Sequence, residues 1–236
     1  MTERANSIKY VWDDIWRNDP YSSSCERHTR ARRRLTAIEP CLAPNTDLGN
    51  VLELGCGDGS YAACLAQSNG FHVAAYVGID LSPTALDRAR SSVRDTRFHF
   101  RLEDISSVEL PTASADTVFM LGVLEHLPDS SKVLAHIQRV LRPNGRLILT
   151  TSNTLSLMYV KRRLREVLQL WPYGYQRNYT PSEFKSLLML HFEEQVVAPF
   201  HGDWDFPLVA VVDRVAAWVD GDFSRYLLAV VQRKTH

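Results

Sequence analysis

Three glycines at alternate positions, Gly55, Gly57 and Gly59, sit in the segment VLELGCGDGS, Val51 to Ser60, with an acid at Glu53 and a thiol at Cys56. Glycine lets the chain take positive φ and leaves no Cβ between the backbone and an approaching ligand. A loop of this kind between an apolar strand and a helix forms a crevice at the strand's carboxyl end, where open α/β sheets bind ligands. The dinucleotide fingerprint is G-x-G-x-x-G, whereas this chain has G-x-G-x-G behind an acid. A pyrophosphate wants bare amides at a helix N-terminus. An acid at Glu53 suits a cationic ligand instead.

Two further acids follow at telling places. Asp80 closes YVGID, ahead of Leu81 and Ser82, and its two carboxylate oxygens match the two hydroxyls of a ribose. The competing role for an acid before Ser-Pro is helix capping. Glu103, Asp104 and Ile105 come after the next apolar run. A carboxylate there can accept an exocyclic amine while Ile105 packs on a ring; solvated loop acids are the plainer alternative. Past a further apolar run ending at Leu121 come Glu125 and His126, the second an imidazole that titrates near neutrality.

The elements needed to position these residues are legible. From about Gly49 to Ser152, short apolar runs alternate with helical patterns, the mark of βα units and a parallel sheet. Strands are expected at Asn50–Leu54, Ala75–Asp80, Phe98–Leu102, Asp116–Leu121 and Arg146–Thr151. Helices are expected at Ser60–Gln67, at Pro83–Val93 with Ser82 as N-cap, and at Ser130–Leu141. Arg142 to Gly145 reads as a turn. A helix near Pro181, strands at Glu194–Pro199 and Tyr226–Gln232, and a helical stretch around Pro207–Val219 complete the pattern. Residues 1–45 read as a helical N-terminal cap; residues 46–236 form the ligand-binding domain, with an insertion at about 153–180 that serves as a lid.

Composition bounds the rest. The 236 residues are 45% hydrophobic and 23% charged, and 27 basic residues balance 27 acidic ones. No basic excess speaks for a nucleic-acid partner. Cys25, Cys41, Cys56 and Cys64 form no CxxC pair and no metal-ligand spacing, as thiols in a reducing cytoplasm would. The N-terminus lacks the basic start and apolar run of a signal peptide. The apolar stretch Phe206–Val219 is interrupted by Asp213 and Arg214, so no transmembrane helix is expected.

Taken in order, VLELGCGDGS, YVGID, LEDI, DTVFMLGVLEHLPD and LRPNGRLILTTSN resemble the class I S-adenosylmethionine (SAM)-dependent methyltransferases, in particular the small-molecule type, over about residues 49–152. More loosely, TSNTLSLMYVKRRL, GYQRNYTPSEF and EHLPD resemble ubiquinone-pathway O-methyltransferases and related bacterial biosynthetic methyltransferases. The N-terminal cap departs from the ubiquinone group. The resemblance implies a Rossmann-like seven-stranded, mostly parallel sheet with a reversed last strand. It also implies Glu53, Gly55, Cys56, Gly57 and Gly59 around the methionine end of SAM, Asp80 and Leu81 at the ribose, Asp104 and Ile105 at adenine, and Leu121 along the methionine moiety. One arginine of the run Arg30 to Arg34 is expected at the SAM carboxylate.

The activity so implied is methyl transfer to an oxygen or nitrogen of a small metabolite. Alternatives are a protein methyltransferase and a non-enzymatic SAM-binding protein. Methyl transfer from a sulfonium demands mainly alignment, and a general base helps the acceptor lose its proton. His126 is the first candidate base and Glu125 the second; the competing role of this trio is to seat the following loop. His201 and Tyr179 are further candidates from the C-terminal half. Leu-Gly-Val-Leu stands where a DNA amino-methylase would carry its Pro-Pro motif, and no paired acids suggest a metal site, so neither nucleic acid nor magnesium is expected. In the insertion, Leu157, Val160, Leu164, Val167, Leu168 and Trp171 share one helical face, with Lys161, Arg162, Arg163, Arg165 and Glu166 largely opposite. This helix is expected to pack its apolar face on the sheet edge as a lid; the alternative is a peripheral membrane contact through residues 155–171. Trp171, Tyr173, Tyr175 and Tyr179 are candidates to wall an apolar or planar substrate.

Overall fold

The computed structural model describes residues 2–18, 24–42, 46–200 and 221–234. Seven strands make one sheet in the order β3-β2-β1-β4-β5-β7-β6. β1 (Thr46–Leu54), β2 (Phe71–Asp80), β3 (Phe98–Leu102), β4 (Ala115–Leu121) and β5 (Leu141–Ser152) run parallel. β7 (Tyr226–Arg233) enters antiparallel between β5 and β6 (Phe192–Phe200). The expected seven-stranded sheet with its reversed last strand is therefore present. The expected turn at Arg142 to Gly145 lies inside the start of β5, where the pairing register with β4 shifts and Asn144 takes φ 63°.

Side chains alternate along each strand and so divide the core into two layers. Leu52, Leu54, Val118, Met120, Leu147 and Leu149 face α5 (Ser130–Val140) and α7 (Pro181–Met189), meeting Leu134, Ile137, Phe184 and Leu188. Val51, Tyr76, Phe119, Leu121 and Ile148 face the other way, toward α2 (Ser24–Ile38) and α3 (Ser60–Ala66). Strands buried on both faces read as nearly unbroken apolar runs, as in DTVFML.

Local chemistry sets the helix ends. Ser82 caps α4 (Pro83–Ser92), its hydroxyl accepting from the Ala85 amide at 3.1 Å, with Pro83 in the first turn. Asp129 caps α5, and Thr180 with Glu183 forms a capping box at α7. α1 (Thr2–Asn18) lies against α4, and α2 against α3. The expected helix at Pro207–Val219 and the candidate His201 lie outside the described residues.

The insertion helix α6 (Leu157–Val167) corrects one expectation. Its apolar row does not pack on the sheet: Val160, Leu164, Val167 and Leu168 are 64%, 60%, 76% and 56% exposed. Arg162 is the buried residue of the helix, donating to the Gln176 carbonyl at 2.6 Å and to Glu166 Oε1 at 2.8 Å. Both bonds are made by Nη1, and charge-assisted bonds of this kind hold the guanidinium inward although its buried Nε finds no hydrogen-bond partner. No helix among the described residues is long and apolar enough to cross a membrane.

Candidate functional site

The parallel strands bring their carboxyl ends to one edge. Register pairs Leu54 with Ile79, Asp80 with Leu102, and Leu121 with Thr150. The loops after β1, β2, β3 and β4 thus open into one cavity of about 1010 Å³. Gly55, Cys56, Gly57, Asp80, Leu81, Asp104, Ile105, Leu121 and His126 all line it, so most of the expected site residues are gathered at one place.

The glycine loop is held tightly. Gly55 and Cys56 amides donate to the Ile79 carbonyl at 2.8 and 3.0 Å. Gly57 takes φ 52°, and a Cβ there would stand 2.7 Å from the Trp16 ring, so both conformation and contact require glycine. Gly59, at φ 72°, precedes α3 and packs on Ala89 behind the cavity wall. Asp80 accepts from the Gly57 amide at 2.8 Å and the Ser82 amide at 2.9 Å, one bond to each oxygen. Each oxygen keeps a lone pair for a diol. Burial raises the Asp80 carboxyl, against the pull of those amides. Burial above all, with the Glu53 and Asp80 charges beside it, keeps the Cys56 thiol well above its usual range, so that residue offers backbone rather than a nucleophile.

Besides Gly59, two expected acids stand behind the wall. Glu53 is fully buried on the inner side of β1, its carboxyl accepting the Tyr76 hydroxyl. Burial pushes it up to about 8, opposed by the Tyr76 bond and assisted by the charges of Asp80 and Asp58. The strand's alternation explains the placement: Glu53 shares its face with Val51, opposite Leu52 and Leu54. Glu125, the second candidate base, is also buried and accepts from Ser152 Oγ at 2.9 Å and Thr151 Oγ1 at 3.1 Å. It seats the turn Leu124–His126 on the end of β5 and does not line the cavity. Tyr179 is likewise in the core, its hydroxyl 2.7 Å from Ser130 Oγ.

His126 does face the cavity. Its Nδ1 lies 3.1 Å from the Tyr175 carbonyl, and a carbonyl only accepts, so the proton of the neutral ring sits on Nδ1. Nε2 is then the basic nitrogen. The Trp12 ring meets the imidazole edge-on at 4.8 Å and holds its plane.

The N-terminal helices supply the residues that motif reading missed. Trp12 and Trp16, four apart on α1, form the cavity's outer wall. Between them Asp13 accepts from Ser82 Oγ at 2.8 Å and the Thr84 amide at 3.1 Å, fastening α1 to the start of α4. The signal in the sequence is WDDIW, two aromatics at helical spacing around an acid. Of the basic run, Arg30 and Arg34 line the cavity together with Arg27, while Arg32 and Arg33 point elsewhere. Spacings of three and four put Arg27, Arg30 and Arg34 on one face of α2. Arg27 pairs with Asp58 at 2.5 Å, and Arg34 donates to the Tyr61 hydroxyl at 3.0 Å. Trp171 and Tyr173 extend the aromatic wall, at 4.9 Å from each other and with Tyr173 6.1 Å from Trp12.

The cavity carries both signs of charge: Asp58, Asp80, Asp104 and Asp129 line it together with Arg27, Arg30, Arg34 and Lys132, and Arg27 is paired with Asp58.

Residues 52–149 match a family described as a methyltransferase domain. Among curated relatives, the chain is 37% identical over 154 residues to a 27-O-demethylrifamycin SV methyltransferase from Amycolatopsis mediterranei, covering 61% of this chain and 54% of that one. It is 29% identical over 173 residues to a ubiquinone biosynthesis O-methyltransferase from Alkalilimnicola ehrlichii, covering 70% and 68%. The chain spans about half the length of the first curated relatives it matches. Its fold is similar to that of the N-methyltransferase NodS from Bradyrhizobium japonicum, solved with S-adenosyl-L-homocysteine, at a TM-score of 0.60, 22% identity and 98% coverage of both chains.

Proposed function

We propose that this chain, whose residues 52–149 are a methyltransferase domain of the SAM-dependent kind, transfers a methyl group to an oxygen or nitrogen of a small metabolite. One observation carries the reading. A single cavity of about 1010 Å³ joins the glycine loop and Asp80 to His126, Trp12 and Trp16, at the upper end of the range for small-molecule sites and with room for two ligands side by side.

The residues present fit the cofactor. Gly55 and Gly57 hold the loop at positive φ along the cavity wall, with Val123 and Trp16 packed where a Cβ would stand. In this reading Asp80 takes the ribose diol, Asp104 and Ile105 the adenine, Leu121 the methionine end and Arg30 or Arg34 the carboxylate, and all of these residues line the cavity. SAM supplies an activated sulfonium methyl, so the protein's work is alignment and proton removal. His126 Nε2 receives the acceptor's proton, while the Tyr175 carbonyl fixes the tautomer and steadies the imidazolium that results. Trp12 and Trp16 exclude water and wall the acceptor. Glu125 acts through His126 by holding its turn.

The finer assignments belong to the same reading. Residues 1–45 work as the cap over the site, and 46–236 as the catalytic domain. The acceptor is not a nucleic acid. Residues 155–171 make a peripheral contact outside the cavity rather than a cover over it. Four free thiols fit a reducing, cytoplasmic setting.

Calorimetric titration with SAM and with NADH tests the core of this. SAM is expected to bind and NADH to give no heat. Asp80→Asn, which removes the charge behind two hydrogen bonds, should weaken SAM by about 10- to 100-fold. Binding of NADH without SAM would return the glycine loop to a dinucleotide role.

A further inference from the structure

The outward face of α6 is built for something other than water. Leu157, Val160, Leu164, Val167 and Leu168 recur at spacings of three and four, with one adjacent pair, and make one stripe. Every one of them is among the exposed large hydrophobic residues, and Leu170 continues the patch at 58% exposure. Lys161 and Arg165 flank the stripe on one side and Arg163 on the other, and the side chains of Lys161 and Arg163 are exposed as well. Isolated surface leucines are ordinary, but a contiguous apolar stripe rimmed by one sign of charge marks a docking surface.

The inward face shows that this orientation is fixed. Arg162 is 6% exposed, its guanidinium lies over the Tyr159 ring at 5.5 Å, and it is tied to Glu166 and to the Gln176 carbonyl. Rotating the stripe inward would take that guanidinium away from the Gln176 carbonyl, while Glu166, on the same helix, would turn with it. The Ser156 side chain, accepting from the Tyr159 amide at 3.1 Å, fixes where the helix begins.

We propose that α6 is a docking surface for an anionic lipid bilayer, with the stripe entering the boundary between headgroups and acyl chains and Lys161, Arg163 and Arg165 reaching back to the phosphates. This rests on the reading of residues 155–171 as a peripheral contact and adds its occupant, its orientation and the residues that make it. Charge decides between the possible occupants. A second copy docked about a two-fold axis would bring the same three cations against themselves across the seam, with Glu166 the one acid on the helix and already shared between Arg162 and Arg163. An anionic surface answers Lys161 and Arg165 and adds to the single acid that Arg163 shares with Arg162. From this surface, Trp171 and Tyr173 lead by ring contacts to Trp12 and His126, so an amphiphilic acceptor held in the bilayer would have an apolar path to the cavity.

The test is co-sedimentation of the whole chain with vesicles, independent of SAM. Vesicles of equal parts phosphatidylcholine and phosphatidylglycerol should carry the protein down, and phosphatidylcholine alone should not. A Val160→Asp, Leu164→Asp, Val167→Asp variant changes only exposed positions and should lose at least about tenfold in partitioning. A Lys161→Gln, Arg163→Gln, Arg165→Gln variant should lose about a hundredfold on the anionic vesicles. Both variants should still bind SAM in calorimetry, which separates this proposal from the methyltransferase reading. Wild-type protein that stays in the supernatant with anionic vesicles overturns the proposal. So does a dimer in sedimentation velocity that the aspartate variant abolishes, since the stripe would then be covered by a second copy.

Discussion

His126 carries its chemistry through its neighbours. The Tyr175 carbonyl accepts a hydrogen bond from Nδ1–H and the Trp12 ring braces the plane, so the ring presents Nε2 as the free nitrogen. Replacement by Gln keeps a polar side chain but removes the imidazole. With an accepted substrate in hand, His126→Gln should lower kcat by about 10²- to 10⁴-fold, leaving SAM affinity near wild type. Loss of SAM binding with kcat unchanged would make His126 a seat for its loop and nothing more. Glu125 shows why the two adjacent candidates part company. A short turn of 3-10 helix sends neighbouring side chains in different directions, and the Thr151 and Ser152 hydroxyls claim the carboxylate.

Among elements, α1 has the largest consequence for the site. Asp13 fastens it to the N-terminus of α4, where unpaired amides and the helix dipole favour a carboxylate. Burial works against ionisation of Asp13, but the Ser82 and Thr84 bonds and the Arg17 charge outweigh it, and the carboxyl ends below its usual range. Asp13→Ala should cost about 1–3 kcal/mol of stability in urea titration and weaken SAM, because Trp12 and Trp16 lose their anchor while the glycine loop stays intact. Asp13→Asn, able to accept the same bonds, should recover part of both. Unchanged SAM affinity in Asp13→Ala would show that α1 covers the site without shaping it. α6 gives the opposite lesson about amphipathic helices. Periodicity identifies its apolar face from residue spacing alone, but the direction that face takes depends on where Arg162 finds acceptors.

For the molecule as a whole, the buried Glu53 links stability to pH. Below about pH 4.5 its carboxyl is protonated whether the chain is folded or not, and it has no effect. Between there and about 8 the folded chain keeps a proton that the unfolded chain releases, so this group lowers stability steadily as pH rises, and the loss levels off above the folded value. Glu53→Gln, which can still accept from Tyr76, should flatten that slope. Urea midpoints of the two proteins measured from about pH 5 to about pH 8 should therefore diverge with rising pH, in favour of the variant. Parallel curves would mean that Glu53 is ionised in the folded chain.

Residues adjacent in the chain are enough to specify the sheet and the places of its ligand loops. Unbroken apolar runs such as DTVFML can be buried only between two layers of helix, and glycine at Gly55 and Gly57 answers to backbone geometry that no other residue relieves. These constraints are local, and because each loop follows a parallel strand they carry Asp80, Asp104 and Leu121 to one edge. What depends on distant partners is settled by the packed fold. Glu53 and Glu125 stand behind the wall because Tyr76 and Thr151, their hydrogen-bond donors, lie 23 and 26 residues away. The same packing lays Trp12, Trp16 and one face of α2 over the glycine loop and turns the stripe of α6 outward. A side chain's neighbours across the fold set its burial, protonation and direction, and spacing along the chain does not encode them.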